Sequence, residues 1–300
     1  MEGVDYGSQA ALAPIYWLVV SLGRPGGDDD MKITFIGGGN MAVALIGGLR
    51  KQGFSAAAIQ VVEPFQESRE KLSETFGVRC AATVDAAALN CEILILAVKP
   101  QQLREAVAPI RGKLTNQLVV SIAAGLRMAD ISRWLGNYRK VVRTMPNTPA
   151  LIGAGITGLC ADPSVDMEGR TAAEKILRAV GSTLWIDDET KMDAVTAVSG
   201  SGPAYVFYFL EAMESAAIHL GFEPRAARQL SVETFIGAAR LAEQSGESIS
   251  TLRERVTSKG GTTEAALLSF GASGVAGAIE QGILAAEARG RALGDMLGKD

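Results

Sequence analysis

A short apolar run, Lys32-Ile33-Thr34-Phe35-Ile36, leads directly into Gly37-Gly38-Gly39-Asn40-Met41-Ala42 and then into Val43-Ala44-Leu45-Ile46-Gly47-Gly48-Leu49. That order predicts a strand, a glycine turn and a helix. The spacing fits G-x-G-x-x-A, the dinucleotide-binding fingerprint with alanine in place of its third glycine. Gly37 permits the tight turn, and Gly39 lets the backbone come close to a pyrophosphate. Ala42 lets the helix lie close on the strand, and free N–H groups at the helix start face the anion. A chain with 34 glycines in 300 residues will match a bare glycine pattern by chance, so the strand before and the helix after carry the weight. The alternative is a turn that serves the fold alone.

Beyond this unit the pattern alternates. Ala58 to Val62 reads as a strand ending at Glu63-Pro64, and Gln66 to Phe76 as a helix stopped by Gly77. Glu92 to Val98 is an unbroken apolar strand stopped by Lys99-Pro100, followed by a helix from Gln101 to Ile110. Gln117 to Ile122 is a strand ending in Ala123-Ala124-Gly125; Met128 to Leu135 is a helix and Lys140 to Thr144 a strand. Such alternation predicts a doubly wound α/β domain with a parallel sheet covered on both faces. Two more strand-like runs, Gly155 to Cys160 and Thr183 to Ile186, flank a helix from Asp166 to Val180 and extend the sheet at its edge. From about Asp187 no convincing strand remains. Pro203 opens a helix that is closed by Gly221, Pro224 opens another that runs to about Gln244, and Val275 to Leu297 forms a third. These helices are apolar on several sides, which calls for burial. About 110 residues provide too little interior for that, so a subunit interface is expected. The division is 1–30 as an extension, 31–187 as the dinucleotide-binding domain and 188–300 as an all-α domain.

The net charge of −4, with both signs interspersed, gives no pointer to nucleic acid or to an anionic membrane. Cys80, Cys91 and Cys160 lack metal-ligand or C-x-x-C spacing and read as buried thiols of a reducing compartment. A cytoplasmic protein is expected.

In an open parallel sheet, ligands sit beyond the carboxyl ends of the strands. Those ends are Gly37 to Ala42, Glu63, Ala97 to Pro100, Ala123 to Gly125, and Met145-Pro146-Asn147-Thr148-Pro149. The last is either a rigid wall for a nicotinamide or a proline-braced turn. Lys99 either faces the cofactor or is an ordinary exposed lysine. In the helical part, Val256-Thr257-Ser258-Lys259-Gly260-Gly261-Thr262-Thr263-Glu264 precedes an Ala/Leu helix. Backbone N–H groups at such a start, with hydroxyls beside them, make a concavity suited to a small carboxylate; read alone, it is also an ordinary capped helix. The single histidine, His219, sits late in an apolar helix and reads as a helix-end residue. A protonated imine already carries positive charge, so its reduction needs positioning more than a strong proton donor.

Four motifs in order make the chain from about Met31 onward resemble the pyrroline-5-carboxylate reductases. They are Ile36 to Met41, Ala97 to Pro100, Met145 to Pro149, and Ser199-Gly200-Ser201-Gly202-Pro203-Ala204-Tyr205; the stretch Val256 to Phe270 resembles the family signature. Two positions depart from it: Lys259 stands where many relatives have proline, and Gly271 where a polar residue is usual. The resemblance implies a Rossmann-type domain followed by a helical dimerisation domain, and hydride transfer from NADPH or NADH to 1-pyrroline-5-carboxylate, giving L-proline. It implies a homodimer, with further assembly of dimers left open. The cofactor set is then Ile36, Gly37, Gly38, Gly39, Asn40, Met41, Glu63, Ala97, Val98, Lys99, Pro100, Ala123, Ala124, Gly125 and Asn147. The substrate set is Glu189, Ser258, Gly261, Thr262 and Thr263, with the Thr263 hydroxyl at the ring nitrogen as the catalytic contact. Glu63 would accept hydrogen bonds from the adenosine ribose.

Competing readings are another imine reductase, a 3-hydroxyacid dehydrogenase, a deazaflavin-dependent oxidoreductase and a non-enzymatic NAD(P)-binding sensor. The hydroxyacid enzyme would use a lysine on the helix bordering the site, and Ser199 to Leu220 holds none. The deazaflavin enzyme resembles the N-terminal half alone.

Met1 to Asp30 carries one apolar run, Ile15 to Leu22, and then a Gly/Pro/Asp stretch before Met31. Eight residues are too few to span a bilayer, which takes about 20, and no basic residue precedes Arg24. A chain started at Met31 is therefore expected to be soluble, to assemble and to keep full activity. Loss of soluble protein on that deletion would show that the Ile15 to Leu22 run packs on the body.

Overall fold

Every residue of four short strands is shielded from water on both faces of the sheet, which is why their apolar residues are not confined to alternate positions. The computed structural model describes residues 31–299, so the expected extension and its apolar run lie outside the described residues. In chain order the nucleotide half begins β1 (Ile33–Ile36), α1 (Asn40–Lys51), β2 (Ile59–Val62), α2 (Gln66–Phe76), β3 (Arg79–Ala81) and β4 (Ile93–Leu96). It continues α3 (Pro100–Val107), β5 (Leu118–Ser121), α4 (Met128–Trp134), β6 (Val141–Met145), β7 (Gly155–Ala161), α5 (Met167–Arg178) and β8 (Gly181–Trp185). The helical half is α6 (Met192–Val195), α7 (Gly202–His219), α8 (Pro224–Gln244), α9 (Ile249–Arg255), α10 (Thr262–Ala272) and α11 (Val275–Leu297).

The sheet runs β3-β2-β1-β4-β5-β6-β7-β8, with the crossover between β1 and β4 that defines a doubly wound fold. One face buries Phe35, Leu45, Val61, Ile95, Val120 and Ile176. The other buries Leu94, Leu96, Leu103, Val119, Ile131 and Trp134.

Three features depart from the sequence expectation. The three-residue edge strand β3 carries no apolar run and gave no signal. β7 pairs antiparallel with β6, so the sheet is not wholly parallel, although β8 then pairs parallel with β7. Between β6 and β7 lies only a 3₁₀ turn, Thr148–Ile152, and a crossover back to a parallel strand needs a dozen or more residues. The cysteines are free, but only Cys160 is buried; Cys80 lies on the edge strand and Cys91 beside the start of β4, both partly exposed. Burial still pushes all three thiols up from their ordinary pKa.

In the helical half, the helix expected to open at Pro203 has an earlier start. A π-type turn, Thr196–Gly200, joins α6 to α7, with the Ser201 N–H donating to the Thr196 carbonyl at 2.8 Å. Neither α7 nor α10 has a buried residue. Phe207, Tyr208, Leu230, Leu268, Phe270 and Leu284 are all exposed, so the apolar faces read from the sequence are uncovered within one chain. α11 returns to the sheet. Its buried residues are Gly290 and Gly294, and a methyl on Gly294 would stand 2.6 Å from the Gly125 carbonyl oxygen.

Gly181 opens β8 at φ 149°, and a methyl there would lie 1.9 Å from the Gly155 carbonyl oxygen of the paired strand. Gly181→Ala is therefore expected to destabilise the fold by about 2 kcal/mol or more, through backbone strain and overpacking together. Urea unfolding at fixed protein concentration measures it, and an unchanged midpoint would refute the claim.

Candidate active site

Strand register decides where the site lies. Ile36 stands beside Leu96, Leu96 beside Ser121, and Ser121 beside Arg143, so β1, β4, β5 and β6 all end at one edge. Beyond that edge the chain gathers Gly37 to Met41, Ala97 to Pro100, Ala123 to Gly125, and Asn147. Gly37 adopts φ 101°, and a methyl on it would meet the Ala97 carbonyl oxygen at 2.6 Å. The glycine turn thus rests on the loop after β4, and no other residue fits. Gly39 caps α1 and has open space where a side chain would be. The first turn of α1 contains no acidic residue and no side-chain cap. Its N–H groups face outward, which is the cradle a pyrophosphate requires. These residues fit a dinucleotide.

Glu63 directly follows β2, with its carboxylate tucked under the turn and only 8 % of its surface exposed. One oxygen accepts the Gly38 N–H at 2.8 Å and the other the Phe65 N–H at 3.0 Å. Arg69 instead donates to the main-chain carbonyls of Glu63 and Pro64, at 2.9 and 2.7 Å. A negative charge is therefore fixed at the turn, and the nearest guanidinium is held on backbone oxygens.

Lys99 is exposed as the cap of α3, with Pro100 in its first turn. Asn147 is buried and serves the fold: its amide donates to the Ser199 carbonyl at 3.1 Å, and its oxygen accepts the Ile156 N–H at 3.0 Å. It ties the end of β6 to the π-type turn and to β7. The Ala123 to Gly125 loop lies under α11, where Arg127 bridges to Asp295. The hydrogen bond to Asp295 holds the Arg127 pKa above its usual value.

The threonine-glycine segment stands apart from this edge. The Gly261 N–H donates to the Ser258 carbonyl at 3.0 Å, and Gly260 turns at φ 72° with its N–H on Glu264 Oε2 at 2.7 Å. α10 then starts at Thr262 with no side-chain cap, leaving first-turn N–H groups facing outward beside the Thr262 and Thr263 hydroxyls. Ser258 and Thr262 are exposed, and the main packing neighbour of α10 within the chain is α11.

Glu189 was expected at the substrate. Its Oε1 accepts the Met128 N–H at 2.7 Å and an Arg143 N–H at 3.2 Å, while Arg143 also donates to Asp193 at 2.9 Å. Arg143 and Asp193 did not figure among the expected site residues. The available signal was an arginine inside a strand whose neighbours, Val142 and Thr144, are both buried.

Residues 189–293 match the family model for pyrroline-5-carboxylate reductase dimerisation, and residues 32–125 match that of an NADP oxidoreductase, coenzyme F420-dependent. Over 271 residues the chain is 45 % identical to the pyrroline-5-carboxylate reductase of Pseudomonas aeruginosa, covering 89 % of this chain and 98 % of that one. The chain belongs to the pyrroline-5-carboxylate reductase family. Its counterpart from Haemophilus influenzae is 43 % identical, over 86 % of this chain and 95 % of the other. A solved pyrroline-5-carboxylate reductase from Coxiella burnetii superposes with a TM-score of 0.82 at 38 % identity, over 88 % and 98 % of the two chains. The Plasmodium falciparum enzyme, solved with NADP bound, gives 0.81 at 26 % identity, over 89 % and 100 %. The F420-type model covers the nucleotide half alone, so it is the helical half that separates this family from the deazaflavin reading. Among the described residues no single helix is long and apolar enough to cross a membrane.

Glu63 is the residue proposed to meet the adenosine ribose, and there its carboxylate would place like charge beside a 2′-phosphate. Glu63→Ser is expected to raise the NADPH-to-NADH ratio of kcat/KM by about fivefold or more, corresponding to roughly 1 kcal/mol of screened repulsion. Steady-state kinetics with both cofactors in wild type and variant measure the ratio. A ratio that fails to rise would place the preference elsewhere.

Proposed function

We propose that this chain reduces 1-pyrroline-5-carboxylate to L-proline, at a site formed where the carboxyl edge of one subunit's sheet meets the start of α10. The observation that carries the reading is that the chain holds two half-sites of complementary chemistry. An open dinucleotide turn lies at Gly37 to Met41, and an uncapped helix start with two hydroxyls lies at Thr262-Thr263. The apolar helices beside the second half-site lack cover, which supports closure by a second copy. We place the enzyme in the cytoplasm as a homodimer.

Bound NAD(P)H supplies the hydride. The α1 start and the Ala97 to Pro100 loop hold the dinucleotide, while Ala123 to Gly125 and the wall at Asn147 flank its ring. The N–H groups of Thr262 and Thr263 hold the substrate carboxylate in the turn shaped by Ser258 and Gly261. The Thr263 hydroxyl orients the ring nitrogen, so that C5 faces the cofactor. The imine is reduced in its protonated form, so hydride addition yields a neutral amine and calls for no strong acid at the reacting carbon. This agrees with His219, the last residue of α7, standing exposed.

Proline-forming turnover with NADPH and NADH in parallel tests the reading, and binding of NAD(P)H without turnover would favour a sensor. Thr263→Ala is expected to keep cofactor affinity and lose about ten- to a hundredfold in turnover, the worth of one hydrogen bond to a charged group. His219→Asn is expected to retain the wild-type rate. A comparable loss in a folded His219→Asn dimer would overturn the argument that no histidine acid is needed.

A further inference from the structure

Arg143 places a full positive charge inside a buried strand, with its side chain 4 % exposed. A buried charge persists only with partners of good geometry. Arg143 has two: Asp193 Oδ1 at 2.9 Å, itself 9 % exposed, and Glu189 Oε1 at 3.2 Å. The same Glu189 oxygen accepts the N–H of Met128 at 2.7 Å, and Met128 is the residue at which the loop after β5 enters α4. The opposite end of that loop is fixed where the Ile122 N–H donates to the Leu96 carbonyl at 3.1 Å. Between those anchors lie Ala123, Ala124, Gly125, Leu126 and Arg127, with Gly125 at φ 77°, Leu126 fully buried and Arg127 bridged to Asp295. Ala124 and Gly125 offer little side-chain packing, so their height above the sheet depends on what holds the residues to either side: buried Ala123 and the Ile122 anchor before them, buried Leu126 and the Met128 anchor after them. α11 closes the arrangement from above, with Gly294 on the Gly125 carbonyl and Gly290 on the Asp193 side chain.

We propose that Arg143 is a positioning residue for hydride transfer: through Glu189 it sets the height of the Ala123 to Gly125 loop, and through Asp193 it locks that height to the helical half. The inference rests on the reductase reading above and gives Glu189 a different task from the one the family resemblance implied. Glu189 is a strut between the guanidinium and the Met128 amide, and the substrate is held by the α10 start. One guanidinium thereby couples the loop that faces the cofactor ring to the domain that brings the substrate.

The test compares wild type with Arg143→Lys, Glu189→Ala and Glu189→Gln. Lysine keeps the charge, but its single ammonium cannot span both carboxylates as the planar fork does. Glutamine keeps an acceptor for the Met128 N–H, and alanine removes it. Two readouts are used: hydrogen exchange of residues 122–134 in the cofactor-free dimer, and the single-turnover rate of NADPH oxidation with cofactor and substrate saturating. Expected for Arg143→Lys and Glu189→Ala is faster exchange at Met128 by about tenfold, with β1 and α8 unchanged, as for a local opening. The single-turnover rate falls by about ten- to a hundredfold, as for a reacting centre displaced by a fraction of an ångström. Glu189→Gln restores most of both quantities. A merely stabilising role would lower the folded fraction and leave the rate per bound cofactor unchanged. Unchanged exchange at Met128 in a native Glu189→Ala dimer overturns the proposal. So does a raised KM for the imine with an unchanged single-turnover rate, since that would make Glu189 a substrate ligand. If Arg143→Lys fails to fold, Glu189→Ala decides alone, because its side chain is 27 % exposed and its removal leaves the Arg143–Asp193 pair in place. Failure of the reductase reading would appear separately, as absence of turnover in wild type with the exchange pattern intact.

Discussion

The structure depends on four adjacent strands that have no wet face. Because β1, β2, β4 and β5 are buried throughout, their main-chain groups find partners only in neighbouring strands, and the pairing register cannot slip. That register sets Ile36, Leu96, Ser121 and Arg143 side by side, so four loops emerge at the same height. The glycine turn, the Ala97 loop, the Ala123 loop and Asn147 are neighbours because of this packing, although they are far apart in sequence. Chemistry at that edge then depends on how closely the loops approach one another. Glycines set that approach at two places, Gly37 against Ala97 and Gly294 against Gly125, where a methyl group would collide with a carbonyl oxygen.

The helical half obeys the opposite constraint. Its helices are rich in apolar residues, yet α7 and α10 bury none of them within one chain. Exposed Phe207, Tyr208, Leu268 and Phe270 represent apolar area that a single copy leaves in water, at roughly 25 cal/mol for each Å². A patch of that extent marks an association surface. α11 links the two regimes. One end packs by α10, and the other lies by small residues on the Ala123 to Gly125 loop. Anything that seats the apolar helices on a second copy is thus mechanically continuous with the loop at the sheet edge.

Much of this was legible in the sequence, for reasons that differ by element. The glycine turn was legible because its requirements are local: a strand, a positive φ, close contact and a helix start fall within a dozen residues. The apolar helices pointed to an interface because their composition exceeds what one small domain can bury. The family resemblance added the expectation of a carboxylate site at the α10 start, which its own residues left open. β3 was not legible, since a three-residue edge strand carries no periodicity. The reversal of β7 followed from loop length, a quantity that apolar runs do not encode. The Arg143 cluster was hidden because its partners Glu189 and Asp193 are 46 and 50 residues away in sequence. Only the anomaly of a charge within a buried strand gave notice of it.

Glu63 and Glu189 solve one mechanical problem with opposite electrostatic results. Each carboxylate accepts a main-chain N–H at a loop beside the sheet's carboxyl edge, Gly38 for one and Met128 for the other, and so holds that loop. At Glu189 the same oxygen also meets Arg143, a guanidinium shared with Asp193, which offsets part of its charge within the protein. At Glu63 the nearest guanidinium, Arg69, is bonded to carbonyl oxygens. Two backbone N–H groups stabilise the Glu63 carboxylate without cancelling its charge, so its field reaches whatever lies on the glycine turn. The same backbone contact therefore makes one glutamate a strut partly compensated by an arginine and leaves the other a carboxylate with no guanidinium bonded to it. The difference lies in where the neighbouring arginine is tied.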